Sequence, residues 1–168
     1  DILPVTEPGE TNYDVLKAAR VFSFFETDSS LWLSKRFVAT LEYYPDFKLK
    51  NIYQRLYPLS SSVYDDQLVA YYFFTKGNEL FSSTDTGLVV LDTKRQTTQL
   101  YFPRQYVTQA DLRTIIPLKN DEIMIRSYGN GLFVFNTILK KYTRHYSAAD
   151  ICGSCRSIQI TYLFKTKN

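Results

Sequence analysis

A chain of 168 residues, 45% hydrophobic and 22% charged, has the makeup of one packed domain rather than of a disordered or coiled-coil segment. The formal net charge is only +3, with Lys and Arg scattered among Asp and Glu, so the basic block that a nucleic-acid footprint requires is absent. No apolar run approaches the roughly 18 residues that cross a bilayer, and the 14 Tyr and 12 Phe against one Trp suit strands, where flat side chains pack on a pleated surface.

In chain order, 13–20 is the one stretch that could form a short helix. Strand-like runs follow: Phe22-Ser23-Phe24-Phe25, a polar turn, Leu31-Trp32-Leu33-Ser34, then Leu41-Glu42-Tyr43-Tyr44 and Asn51-Ile52-Tyr53. A second unit runs from Asp66 through Glu79-Leu80-Phe81-Ser82-Ser83 and Gly87-Leu88-Val89-Val90-Leu91-Asp92 to Leu100-Tyr101-Phe102. A third runs from Gln109 through Glu122-Ile123-Met124-Ile125-Arg126 and Gly131-Leu132-Phe133-Val134-Phe135-Asn136 to Tyr146. Glu79 answers to Glu122 at an offset of 43 residues and Gly87 to Gly131 at 44, so the third unit carries one extra residue in the loop before its glycine. The first unit is a weaker copy without the glycine, and Ser157 to Phe164 matches the first strand of a fourth.

Short strands separated by turns of two to six residues, repeating every 43–44, describe four-stranded antiparallel blades. The fold class expected is therefore all-β: a partial β-propeller of three four-stranded antiparallel blades plus the first strand of a fourth. The whole of 1–168 is one domain, with blades at about 20–57, 67–102 and 111–146 and the fourth beginning at 157–168. A blade cannot bury both apolar faces alone, so neighbouring blades, or a second copy of the chain, are expected partners. We read the chain as an excerpt of a longer propeller.

Cys152-Gly153-Ser154-Cys155 lies between strand-like segments, with His145 as the sole histidine. That context fits a local disulfide or two loop thiols rather than a redox or zinc site. No metal and no cofactor is expected.

The segments Glu79 to Asp92 and Glu122 to Asn136 resemble the two-component regulator propeller repeat, whose usual form is L-W-[IV]-G-T, a short loop, G-L, an apolar alternation, then D or N. Ser30-Leu31-Trp32-Leu33-Ser34 is similar to the same L-W start. Here that core is eroded to Leu80-Phe81-Ser82-Ser83-Thr84 and Ile123-Met124-Ile125-Arg126-Ser127. The resemblance implies a noncatalytic periplasmic ligand-sensing region of a membrane-anchored sensor histidine kinase, responding to an oligosaccharide.

In such a blade, with the four strands lettered A to D in chain order from the axis outward, the B–C and D–A loops share the rim that ligands meet. Aromatic faces and planar polar groups there would suit hydroxyl recognition. The candidate ligand-binding residues are Arg36, Asp85, Arg104, Tyr106, Arg126, Tyr128 and Asn130, the arginines also suiting a sulfated or uronic sugar. Trp32 is expected in the core, at the place held by Phe81 and Met124. No hydrolase, P-loop or dinucleotide motif occurs, and Asp65-Asp66 and Asp121-Glu122 are adjacent carboxylates rather than opposed ones. Two other readings are a propeller scaffold for protein contact or dimerisation, and part of a propeller glycosidase or lyase.

Overall fold

The computed structural model describes residues 21–35, 39–54, 70–154 and 160. Blade 1 comprises β1 (Val21–Glu26), β2 (Leu31–Lys35), β3 (Ala39–Tyr43) and β4 (Leu49–Gln54). Blade 2 comprises β5 (Tyr72–Lys76), β6 (Glu79–Ser83), β7 (Leu88–Asp92) and β8 (Thr97–Tyr101). Blade 3 comprises β9 (Leu112–Pro117), β10 (Glu122–Ser127), β11 (Gly131–Asn136) and β12 (Lys141–Tyr146). Each is an antiparallel sheet with its strands in sequence order. Between sheets, β1 meets β5 and β5 meets β9. First strands thus stand side by side, which places each β-meander radially, as the repeat predicts. The helix expected at 13–20 lies outside the described residues, as does the fourth-blade strand at 157–164 except for Ile160.

Register explains how one repeat builds two interfaces. Trp32, Phe81 and Met124 each sit on a second strand, paired with Phe25, Phe74 and Ile116 on the first and with Glu42, Val90 and Val134 on the third. They occupy one structural position, which for Trp32 and Phe81 lies on the face turned to the following blade. Trp32 is buried and stacks on Tyr53 at 5.7 Å, and both pack with Phe73, Leu80 and Leu91 of blade 2. Across the next interface, Phe81, Leu88 and Val90 meet Ile123, Ile125, Phe133 and Phe135. Alternate residues of β6 and β7 therefore serve opposite interfaces, and both strands are buried almost continuously. Strand β8, at the outer edge, is mostly exposed.

The repeated glycine has a steric cause. A Cβ on Gly87, at φ +154°, would come within 2.8 Å of the Tyr101 carbonyl oxygen, and one on Gly131, at φ +82°, would strike that of Tyr146. In both blades the third strand opens against the fourth strand's last carbonyl, at a distance only glycine tolerates. The rim carrying the A–B and C–D turns is cross-linked by ion pairs between blades: Lys76 reaches Asp121, and Lys140 reaches Glu79 while its ammonium lies 4.6 Å from the Phe81 ring centroid.

The segment after β12, between strand-like runs in the sequence, contains a short helix, α1 (Ala148–Cys152). Its start is a capping box, with the Ser147 hydroxyl accepting from the Asp150 N–H and the Asp150 carboxylate accepting from the Ser147 N–H. Cys152 stands at the helix's C-terminal end, where no dipole would favour a thiolate, and it is disulfide-bonded.

Candidate functional site

The opposite rim is formed by B–C turns and D–A connections, and its best-defined part is the seam between blades 2 and 3. The B–C turn of blade 2 is set by Thr84, whose buried hydroxyl donates to the Gly87 carbonyl at 2.8 Å and accepts from the Gly87 N–H at 3.1 Å. The Leu112 N–H donates to the Thr84 carbonyl at 2.8 Å, and the Ser83 hydroxyl donates to the Arg113 carbonyl. Blade 2's turn is thereby tied to the beginning of blade 3's innermost strand, and Asp85 is fixed over the junction.

Four side chains meet there. The Arg113 guanidinium carbon lies 3.5 Å from the centroid of the Tyr71 ring, and its Nη2 donates to Asp111 Oδ2 at 2.7 Å. Burial, reinforced by the negative charge of Asp111, pushes the Asp85 carboxyl above the usual range. Burial also raises the Tyr71 phenol; the Arg113 charge opposes this, while Asp85 and Asp111 add to it. The Oδ1 atoms of Asp85 and Asp111 are buried without a hydrogen-bond partner. Buried acceptors without donors are uncommon in folded proteins, and they cluster at sites shaped for something other than stability. A stacked guanidinium beside two carboxylates offers planar donors and acceptors that can engage paired hydroxyls. Among the described residues no group of three or more metal-binding side chains converges.

Of the seven residues expected at a ligand site, Asp85 alone belongs to this cluster. Arg36 lies outside the described residues. Arg104 is exposed on the turn after β8, and its N–H donates to the Phe102 carbonyl at 2.8 Å. The Tyr106 ring packs into the blade 2–blade 3 core, against Phe133 at 6.2 Å and His145 at 5.2 Å. The Arg126 Nη1 donates to the Ile160 carbonyl, binding the last described residue to blade 3. Tyr128 projects from the B–C turn of blade 3 with its side chain exposed, while its N–H donates to the Asp111 carbonyl at 2.8 Å. Asn130 donates its amide to the Gln109 carbonyl at 3.0 Å, and its own carbonyl meets the His145 ring nitrogen at 2.7 Å. Tyr71, Asp111 and Arg113 escaped the sequence reading because they stand just before or just inside first strands, where the repeat predicts lining rather than loop residues. The two sides are 26 to 42 positions apart in the chain, and no short motif joins them.

No family model matches the chain, and no curated protein matches it. Among solved structures it is similar to the WD40 domain of Pan2 from Neurospora crassa, with a TM-score of 0.59 at 11% identity over 86% of this chain. It is also similar to the extracellular domain of a one-component system from B. thetaiotaomicron, with a TM-score of 0.53 at 16% identity over 74% of this chain. The chain spans 41% of the length of the first and 16% of the second. At these identities the likeness concerns the fold, and the fold is that of propeller blades.

Proposed function

We propose that this chain is part of a noncatalytic, ligand-sensing propeller in the ectodomain of a membrane-anchored receptor, reading an oligosaccharide signal on the periplasmic side. The observation that carries the reading is the Tyr71–Arg113–Asp111–Asp85 cluster on the B–C/D–A rim. It holds planar donors and acceptors in a geometry fixed by backbone hydrogen bonds between two blades, with acceptor atoms the fold leaves unsatisfied. The repeat's resemblance to sensor propellers supports it, and so does the likeness to an extracellular domain of a one-component system. A histidine kinase as the output is the finer expectation of that resemblance.

Isothermal titration of the chain against a broad oligosaccharide library tests the reading. A ligand whose affinity falls at least about tenfold in Arg113→Ala, with Arg104→Ala near wild type and both variants retaining their melting temperature, is the expected result. Silence across the library would argue against it. The environments of Asp85 and Asp111 favour one second reading. A carboxyl that burial pushes above its usual range, set beside a second carboxyl, is the raw material of a glycosidase or lyase acid–base pair. Release of reducing ends or unsaturated products from polysaccharides, abolished in Asp85→Asn, would replace sensing by catalysis.

A further inference from the structure

The C–D turns of blades 2 and 3 share one backbone design and differ in what they display. In blade 2 the Asp92 carboxylate accepts from the N–H groups of Lys94 and Arg95 at 3.0 and 2.9 Å, and Gln96 follows at φ 54°. In blade 3 the Asn136 side-chain oxygen accepts from those of Ile138 and Leu139 at 3.0 and 2.8 Å, and Lys140 follows at φ 52°. The design needs the Asx residue and the left-handed position. It makes no demand on the two residues just before the left-handed one, since two cations serve in one blade and two aliphatics in the other. Yet Ile138 and Leu139 are 63% and 59% exposed, and Phe47, in the corresponding turn of blade 1, is 75% exposed. Apolar side chains held outward by a rigid turn that does not require them point to a surface they enter.

We propose that these C–D tips form a docking surface for an anionic lipid bilayer. Antiparallel order places all three tips on the same rim, at its outer edge. Segments 44–50, 92–97 and 136–142 together carry six basic residues against two acidic ones. The A–B turns of that rim, 26–31, 76–79 and 117–122, carry two basic residues against five acidic ones. Lys50 and Lys140 are engaged by Glu42 and Glu79, which leaves Lys48, Lys94, Arg95 and Lys141 against Asp46 and Asp92 on the tips, a net positive charge beside the protruding apolar side chains. That pairing draws a protein to anionic headgroups and inserts its tips at the acyl boundary. The apolar residues stand on convex tips of two non-adjacent blades, with the basic Lys94-Arg95 tip between them. A soft planar surface accommodates that spacing, whereas a protein partner's dry interface core needs one contiguous patch.

Co-sedimentation of the chain with phosphatidylglycerol/phosphatidylcholine vesicles, and with phosphatidylcholine alone, tests this independently of any sugar ligand. Binding to the anionic vesicles, weakened by salt and reduced about tenfold or more in the double variant Ile138→Ser, Leu139→Ser, is expected. Phe47→Ser and the charge variant Lys94→Glu, Arg95→Glu should each weaken it as well, with circular dichroism and melting temperature unchanged. Failure to sediment with anionic vesicles, or sedimentation indifferent to all three variants, overturns the proposal. So does a dimer in sedimentation velocity that ignores vesicles and dissociates in the Ile138/Leu139 variant, which would assign the tips to a contact between copies of the chain.

Discussion

The interface between blades 1 and 2 and that between blades 2 and 3 both hold an apolar cluster, but blade 1 departs from its relatives at one position of the repeat. Where blade 2 presents Val90 and blade 3 presents Val134, blade 1 presents Glu42, paired across the strand with Trp32. Its side chain is only 5% exposed, and it collects four donors: Ser30 Oγ at 2.8 Å, Lys50 Nζ at 2.6 Å, Asn51 Nδ2 at 2.8 Å and the Tyr53 hydroxyl at 3.1 Å. Burial alone would raise its pKa. The hydrogen bonds from Lys50, Asn51 and Ser30, with the Lys50 charge, hold it below the ordinary 4.5 instead. The second interface is a dry aromatic cluster in which Phe135 lies edge-on to Phe81, Tyr101 and Tyr142. That position of the repeat therefore tolerates either a satisfied charge or an apolar side chain, and the choice decides how each blade responds to truncation and to pH.

The largest effect should come from the dry seam. Phe135→Ala removes a fully buried ring packed edge-on to three other aromatics and should cost about 3–5 kcal/mol in urea unfolding, with amide exchange accelerating first in blades 2 and 3. In blade 1, Glu42→Ala strands Lys50 and Tyr53 without their acceptor and should cost about 2–4 kcal/mol. Glu42 also gives that blade the stronger acid sensitivity. Because its pKa is lower folded than unfolded, its contribution is present above about 4.5 and is lost as pH falls through the folded value. Melting curves of wild type and Glu42→Gln should converge in that window, and parallel curves would mean the carboxylate is not the source of the acid sensitivity. At the rim the sign reverses. Asp85 is more easily protonated when folded, so its ionisation opposes folding as pH rises above about 4. Asp85→Asn should raise the melting temperature slightly at neutral pH and not at all in acid, sharpening the view that its charge is kept for a ligand. The smallest change belongs to the partly exposed clasp: Lys76→Ala should cost less than about 1 kcal/mol and fade with salt.

Legibility in the sequence followed this contrast between the blades. Blades 2 and 3 align because Gly87 and Gly131 meet the same steric limit and because Phe81/Val90 and Met124/Val134 keep apolar pairs in the same register. Blade 1 aligns weakly because Glu42 breaks the apolar alternation at the position its relatives fill with valine, and a carboxylate reads as a surface residue unless its donors are seen. The helix at Ala148–Cys152 was signalled by Ser147-Ala148-Ala149-Asp150, a capping-box spacing, although too few apolar residues follow it to suggest a helix by periodicity.

The order of strands, the blade repeat and the burial of Trp32 follow from local patterning, since alternation and turn chemistry act over a few neighbouring residues. The rim cluster does not. Tyr71, Asp85, Asp111 and Arg113 come from separate turns and first strands of two blades, and only the packing of blade 2 against blade 3 closes the gap of 26 to 42 residues between them. The same holds for Tyr106 and Asn130, whose loop positions look available along the chain while their partners, Phe133, His145 and Gln109, are supplied by the folded sheet. Local interactions are written in adjacent letters, whereas the electrostatics of a site depend on which distant letters the fold brings within a few ångströms.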